Sequence, residues 1–357
     1  MPFAEIPGLR VHYRQEGGGG EPVVFLHGFP QTSYQWRHQL AALSAAGYAC
    51  FAPDNRGFGD TDKPDLRISR GLLARDVVAF LDAVGLESAH LVTHDWGGII
   101  GFKVVADHPE RVRSIALLDT LCTIWPPRGR HGYWFKAEGL AEDFFARYHE
   151  AWIEATFAGR DGADLPGAPA SPWPFRPGAR PRPTWIDDDA LEHYRRSFSD
   201  PASWSAAIQY YRYALPFHRI DEEDRPHLLS ERQVAEMWLH PGGLAAHPLS
   251  GEYLDFGPED RSTRFERPAL WMYGHYLARP SGSASLSSPP QSSPSEGSPP
   301  QGAAPQGERP LNPFAAQFGR YFADLRSQSV DAGHFLAEEA APVVTEALLR
   351  FLPEPRP

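Results

Sequence analysis

A chain of 357 residues with 42% hydrophobic content can form one large domain carrying an inserted module, or two ordinary domains. Its formal net charge of −11 and its lack of any basic stretch weigh against nucleic acid and anionic membranes as partners, since both demand clustered positive charge. Met1 to Gln15 lacks a charged segment followed by an apolar one, and no run approaches the roughly 18 apolar residues of a membrane span, so a cytoplasmic location is expected. The two cysteines, Cys50 and Cys122, sit in apolar strand-like contexts and are expected to be core thiols, not a disulfide.

In chain order, strands are predicted over Leu9 to Arg14 and Val23 to Leu26, separated by the Gly17 to Gly20 turn. A helix near Trp36 to Ala46 and a strand from Ala49 to Ala52 follow. The next helix spans Gly71 to Val84, apolar at Leu72, Leu73, Val77, Phe80, Leu81 and Val84. After it come a strand from His90 to Thr93, a helix from Gly97 to Asp107 and a strand from Val112 to Leu118. Strands alternating with helices of this length imply an α/β architecture with a mostly parallel, helix-covered sheet.

The alternation stops after Asp119. Residues 121 to 264 are rich in aromatics, Arg and Pro, with helical patches at Leu140 to Phe157, Asp188 to Phe198 and Ser203 to Tyr213, and a Pro/Gly-rich loop between 159 and 183. This reads as a helical cap inserted into the sheet domain, although residues 220 to 264 give no clear pattern. A strand from Pro268 to Gly274 returns to the core, and a strand from Leu325 to Val330 with a helix from Ala341 to Leu352 closes it. The expected division is therefore 1–120 and 265–357 for the core and 121–264 for the cap. Residues 279–310, almost wholly Ser, Pro, Gly, Gln and Ala, form a tract expected to be a disordered insertion.

The strongest local signal is Leu91-Val92-Thr93-His94-Asp95-Trp96-Gly97-Gly98, an apolar strand entering a turn of small residues and then a helix. Small residues at 93, 97 and 98 permit a tight turn that lifts the central side chain to the sheet edge at a helix N-terminus. That lifted residue is aspartate, which is also a common helix N-cap. Three further features bear on the choice. His27-Gly28-Phe29-Pro30 follows a buried strand where a backbone N–H of Phe29 could complete an oxyanion hole with that of Trp96. Asp331-Ala332-Gly333-His334-Phe335 places a histidine between the last strand and the last helix, where a general base would follow the nucleophile in chain order. Ala52-Pro53-Asp54-Asn55-Arg56-Gly57-Phe58-Gly59 supplies the third feature, and His27 itself reads as a loop-packing residue.

Together these residues resemble the α/β-hydrolase superfamily, specifically its aspartate-nucleophile branch of epoxide hydrolases and haloalkane or haloacetate dehalogenases. The 54–59 segment is similar to that family's D-x-R-G-x-G loop, whose role is structural. The resemblance implies an α/β-hydrolase fold, with Asp95 as nucleophile and His334 as base. It implies no metal or organic cofactor, and a small apolar epoxide or organohalide as the substrate, with the oligomeric state left open. Chemistry agrees, because a carboxylate can displace a leaving group at tetrahedral carbon and form an alkyl ester that water then cleaves. The triad acid is missing from its usual place after Trp271-Met272-Tyr273-Gly274. Other relatives carry it after the strand that follows the nucleophile helix, and Asp119 lies there, 24 residues beyond Asp95. Asp331 and Asp324 are the alternatives.

Epoxide opening releases an alkoxide that needs a proton, and epoxide hydrolases aim two donors from the cap at it. Ile208-Gln209-Tyr210-Tyr211-Arg212 resembles the family's motif for one donor and maps it to Tyr211. Alignment of Phe135 to Glu142 onto the cap-helix entry maps the other to His131, a His/Tyr pair characteristic of the Cif-like epoxide hydrolases. Adjacent aromatics at 204, 210, 211 and 213 would also suit a packed helix interface. A dehalogenase would rest on the Trp96 indole, with Trp125, Trp134 or Trp152 as further halide donors. A non-catalytic binding protein on the same fold is the remaining alternative.

Overall fold

A hairpin opens the fold, β1 (Phe3–Ile6) turning through Pro7 and Gly8 into β2 (Leu9–Glu16). The computed structural model describes residues 2–126, 129–158, 185–240, 247–249, 251–274 and 313–355. The first half continues with β3 (Pro22–Leu26), α1 (Arg37–Ala45), β4 (Ala49–Pro53), α2 (Arg70–Ala83), β5 (Ala89–His94), α3 (Trp96–Asp107) and β6 (Val112–Leu118). These agree with the sequence-predicted elements to within a few residues. The hairpin strand β1, only four residues long, carries too short a pattern to be read.

After β6 come β7 (Ile124–Trp125), α4 (Arg130–Lys136), α5 (Leu140–Ala158), α6 (Asp188–Ser197), α7 (Pro201–Tyr213), β8 (His218–Ile220), β9 (Pro226–Leu228), α8 (Glu231–Trp238) and β10 (Leu254–Asp255). The chain ends with β11 (Ala269–Gly274), α9 (Pro313–Tyr321), β12 (Leu325–Val330), α10 (Leu336–Glu339) and α11 (Ala341–Phe351). The segment between 121 and 264 is thus not purely helical. Strands β7, β10, β8 and β9 form a small antiparallel sheet. With two or three residues per strand, alternation could not reveal it. The 159–183 loop and the 279–310 insertion both fall outside the described residues.

The main sheet has eight strands in the order β1-β2-β4-β3-β5-β6-β11-β12, antiparallel at β1-β2-β4 and parallel from β4 onward. Its central strands β3 and β5 are buried throughout, as expected of parallel strands covered on both faces. Helices α1 and α11 pack on one face through Trp36, Leu40, Leu43, Val344 and Leu348. Helices α2 and α3 cover the other face, whose core continues into the aromatic underside of the cap. The cysteines are buried and free.

Local chemistry sets the helix starts. Ser69 accepts the Leu72 N–H ahead of α2, Asp187 accepts the Ala190 N–H ahead of α6, and Ser230 with Gln233 forms a reciprocal capping box on α8. The segment that returns from cap to core is fastened by Asp260, whose buried carboxylate accepts from Arg70 at 2.8 Å and Lys103 at 2.7 Å. Asp260→Ala would remove the buried anion between these two cations and leave them only the more exposed Glu259 and Asp107. It is expected to cost about 3–5 kcal/mol in urea unfolding, against about 1 kcal/mol for removal of the Ser69 cap by Ser69→Ala.

Candidate active site

Asp95 stands where β5 ends and α3 begins, with φ 49°, a conformation that non-glycine residues rarely adopt. Close approach makes this turn possible. A Cβ on Gly28 would lie 2.5 Å from that of Asp95, and one on Gly97 would lie 2.1 Å from the Leu26 carbonyl oxygen. The Asp95 side chain does not cap α3. Instead its Oδ1 accepts the Phe29 N–H at 2.8 Å, and the adjacent Trp96 N–H also favours the charged carboxylate. These are the two backbone donors expected from the sequence. The Thr120 hydroxyl donates to the Asp95 carbonyl at 2.5 Å and steadies the turn from behind. Burial pushes the Asp95 carboxyl above its ordinary value, with His334 and the two N–H groups pulling it back and Asp119 pushing it further up.

His334 bridges two carboxylates. Its Nδ1 lies 2.5 Å from Asp119 Oδ2, and its Nε2 lies 3.6 Å from Asp95 Oδ2. Asp119 follows β6 immediately and also has a positive φ, 44°. Its N–H donates to the Met272 carbonyl of the neighbouring strand at 2.8 Å, which aims the side chain across the sheet edge. The acid beside His334 Nδ1 is therefore Asp119 and not Asp331 or Asp324. Burial disfavours a charged His334, but Asp119, by hydrogen bond and charge, together with Asp95 and Glu339, outweighs it and holds the imidazolium to about 9.

Two neighbours of this set escaped the sequence reading. His94 is buried, and its Nε2 donates to the His334 carbonyl at 2.8 Å. Glu339 accepts the N–H groups of Gly333 and Phe335. A histidine inside an otherwise apolar strand was a visible signal for the first, whereas nothing in the residues around Glu339 distinguishes it from a solvated helix end. His27 is structural, as expected. Its Nδ1 donates to the Gly28 carbonyl at 2.9 Å and its Nε2 accepts the Asn55 N–H at 2.9 Å, while burial pushes its pKa down. Asp54 braces the same loop. Burial opposes its ionisation, yet hydrogen bonds from His12 and Ser33, with the charges of both histidines, hold it at about 2.

The cap brings two more of the sequence-selected residues over this set. Tyr211, on α7, packs edge-on to Trp96 at 5.0 Å and stacks on Phe135 at 4.1 Å. Burial, then the Asp95 charge, push this phenol well above 10, against the pull of Trp96. His131, on α4, lies with its ring 5.5 Å from that of Tyr211 and 5.0 Å from that of Trp125, so it faces this ring cluster while remaining half-buried. Burial, followed by the His334 charge, pushes His131 down to about 3. The Trp125 indole N–H donates to the Gly129 carbonyl at 2.8 Å. Among the described residues no cluster of three or more His, Cys, Asp or Glu could hold a metal ion. No described helix is long and apolar enough to cross a membrane.

A carboxylate at the strand-turn-helix junction after β5, a histidine after the last strand and a second carboxylate after β6, arranged on this sheet order, define an α/β-hydrolase fold. Comparison with known proteins agrees. A family model for the α/β hydrolase fold matches residues 21–164. The chain is 33% identical over 251 residues to "Epoxide hydrolase 2" of Siraitia grosvenorii, covering 65% of this chain and 77% of that one. It is 31% identical over 234 residues to "Epoxide hydrolase A" of Mycobacterium tuberculosis (strain ATCC 25618 / H37Rv), covering 59% and 72%. The fold matches the crystal structure of Epoxide Hydrolase A from Mycobacterium thermoresistibile with TM-score 0.66 at 22% identity, across 99% of this chain and 98% of that one. The chain belongs to the epoxide-hydrolase-like family of α/β hydrolases.

The His334 shift has a sign that can be tested. A histidine raised from 6.5 to about 9 stabilises the fold fully below pH 6.5 and loses that contribution as pH rises through about 9. Asp119→Asn is expected to lower the imidazole titration in ring-proton NMR. The stability gap between wild type and variant should also shrink between pH 6.5 and 9.

Proposed function

We propose that the protein hydrolyses epoxides to vicinal diols through an alkyl ester on Asp95. The observation that carries this reading is the set of three groups around one carboxylate. The Phe29 N–H holds it, the His334 imidazole lies 3.6 Å from Oδ2, and Tyr211 stands close enough for its phenol to feel the carboxylate's charge.

In the first step Asp95 attacks an epoxide carbon while the ring C–O bond breaks, and Tyr211 gives its proton to the departing oxygen. Its high pKa keeps the phenol protonated at neutral pH until an alkoxide develops. His131, expected from the sequence to protonate the oxygen beside Tyr211, is neutral near pH 7. It lends an N–H hydrogen bond to the oxygen while Tyr211 transfers the proton. The substrate surroundings are aromatic, with Phe29 packed against Trp152, Trp204 and Phe198, which suits an apolar epoxide.

The second step needs a neutral His334, although the free enzyme holds it protonated. Esterification removes the Asp95 charge, one of the contributions that keep the proton on the imidazole, so ester formation itself readies the base. Water then adds to the Asp95 carbonyl carbon, His334 accepts one of its protons, and Phe29 and Trp96 N–H groups stabilise the oxyanion. Collapse of the adduct breaks the ester C–O bond, passes the adduct's hydroxyl proton to the departing diol oxygen and restores the Asp95 carboxylate; His334 ends protonated as it began, the proton it gave up on esterification having returned the Tyr211 phenolate to the phenol. Halide release on the same nucleophile is less well supported, because Trp125 already spends its indole N–H on the Gly129 carbonyl.

Incubation with a panel of epoxides and bromoalkanes should give diols, and His334→Gln should accumulate a covalent adduct on Asp95 visible by mass spectrometry. Tyr211→Phe is expected to slow epoxide opening by roughly a hundredfold or more and to affect bromide release far less. Bromide release with every epoxide inert would overturn the proposal.

A further inference from the structure

The loop that carries His334 lies between β12 and the single-turn helix α10, where neither sheet nor long helix holds its backbone. Side chains do so instead. Glu339 reaches back across the turn, its Oε2 accepting the Gly333 N–H at 2.6 Å and its Oε1 the Phe335 N–H at 2.8 Å. Those N–H groups flank His334 on both sides. The His334 carbonyl between them is taken by His94 Nε2 at 2.8 Å. A carboxylate that receives two backbone N–H groups makes charge-assisted bonds, stronger and shorter than neutral ones. It also fits tightly, since a Cβ on Gly333 would lie 2.8 Å from both Glu339 oxygens.

We infer that Glu339 is the positioning residue of the base loop, clamping the backbone on either side of His334 so that its imidazole reaches Asp95. The inference rests on His334 acting as the base. The groups facing His334 are Asp119 at the end of β6, Asp95 at the turn into α3, His94 in β5, His131 on α4 and Glu339 on α10. Three are anionic and raise its proton affinity. The two histidines are neutral, and burial keeps them so. Glu339 acts on this set without approaching the substrate, so its loss should be felt chiefly in the half-reaction that needs a correctly placed base.

Single-turnover measurements on Glu339→Gln separate the two steps. The amide removes the charge and sets an NH2 group against one of the backbone donors. Alkylation of Asp95 is expected to stay within about twofold of wild type, while ester hydrolysis slows on the order of tenfold or more through misplacement of the base. The acid limb of the hydrolysis rate should move to lower pH. Gly333→Ala presses on the clamp from the other side and keeps the charge, so it should slow hydrolysis without moving that limb. It also tests the clamp if Glu339→Gln fails to fold. Wild-type hydrolysis and an unmoved limb in Glu339→Gln, or wild-type hydrolysis in Gly333→Ala, would overturn the inference. Failure of the wild type to open any epoxide, or of His334→Gln to trap an adduct, would instead defeat the reading of His334 as base.

Discussion

The imidazole of His334 is held between two carboxylates that leave adjacent parallel strands, and the local distortions of the fold serve to bring those three groups together. Asp95 and Asp119 both have positive φ at the C-terminal edge of the sheet, where β5 and β6 release the chain. Each conformation is unfavourable for a residue with a side chain, and each is over-determined by its surroundings. Thr120, the Leu118 carbonyl and the Phe29 N–H secure Asp95, and the β11 carbonyl of Met272 secures Asp119. Strain at the two strand ends is offset by the parallel pairing beneath them, which places both side chains on one rim.

A second buried carboxylate ties that rim to the cap. Glu338, next to Glu339 in sequence but directed elsewhere, accepts from Arg37 on α1, from Gln31 in the loop of Phe29 and from Tyr194 on α6, the last at 2.8 Å. Removing such an anion from water is costly unless its oxygens are fully occupied, and here three donors occupy them. The cap is fastened within itself by a similar exchange. Lys136 donates to the Arg212 carbonyl at 3.1 Å and Arg212 to the Phe135 carbonyl at 3.2 Å, which joins the helix bearing His131 to the helix bearing Tyr211. Polar groups thus fix the distances on which the site depends, while the aromatic packing around Phe29 excludes water from it.

Much of this was legible in the residues. The alternation of buried strands and amphipathic helices named the parallel sheet, because each element carries a period long enough to read. Asp95 was legible through the small residues around it, which have no use except in a tight turn. Asp119 was selected by the absence of an acid after Gly274 and by its place one residue beyond β6. The small cap sheet was not legible, since strands of two or three residues have no period. Nor was Glu339, whose contacts form a local backbone clamp, and His94, though visible as a polar residue in a buried strand, gave no sign of its partner 240 positions away.

The sequence by itself determined the layering of the core, the residue lifted at the end of β5, the histidine after β12, and the aromatic composition of the cap. These follow from local periodicity and turn chemistry, which act within a few residues. Only the tertiary structure decided that the Asp95 side chain does not cap α3, that Asp119 is the acid beside His334, and that the Trp96 ring packs edge-on against Tyr211. It also decided that His131 is held neutral and that Glu339 grips the base loop. Those outcomes depend on distances between segments far apart in the chain and on the burial of charges among them, quantities that exist only once the sheet and cap have closed around the same few atoms.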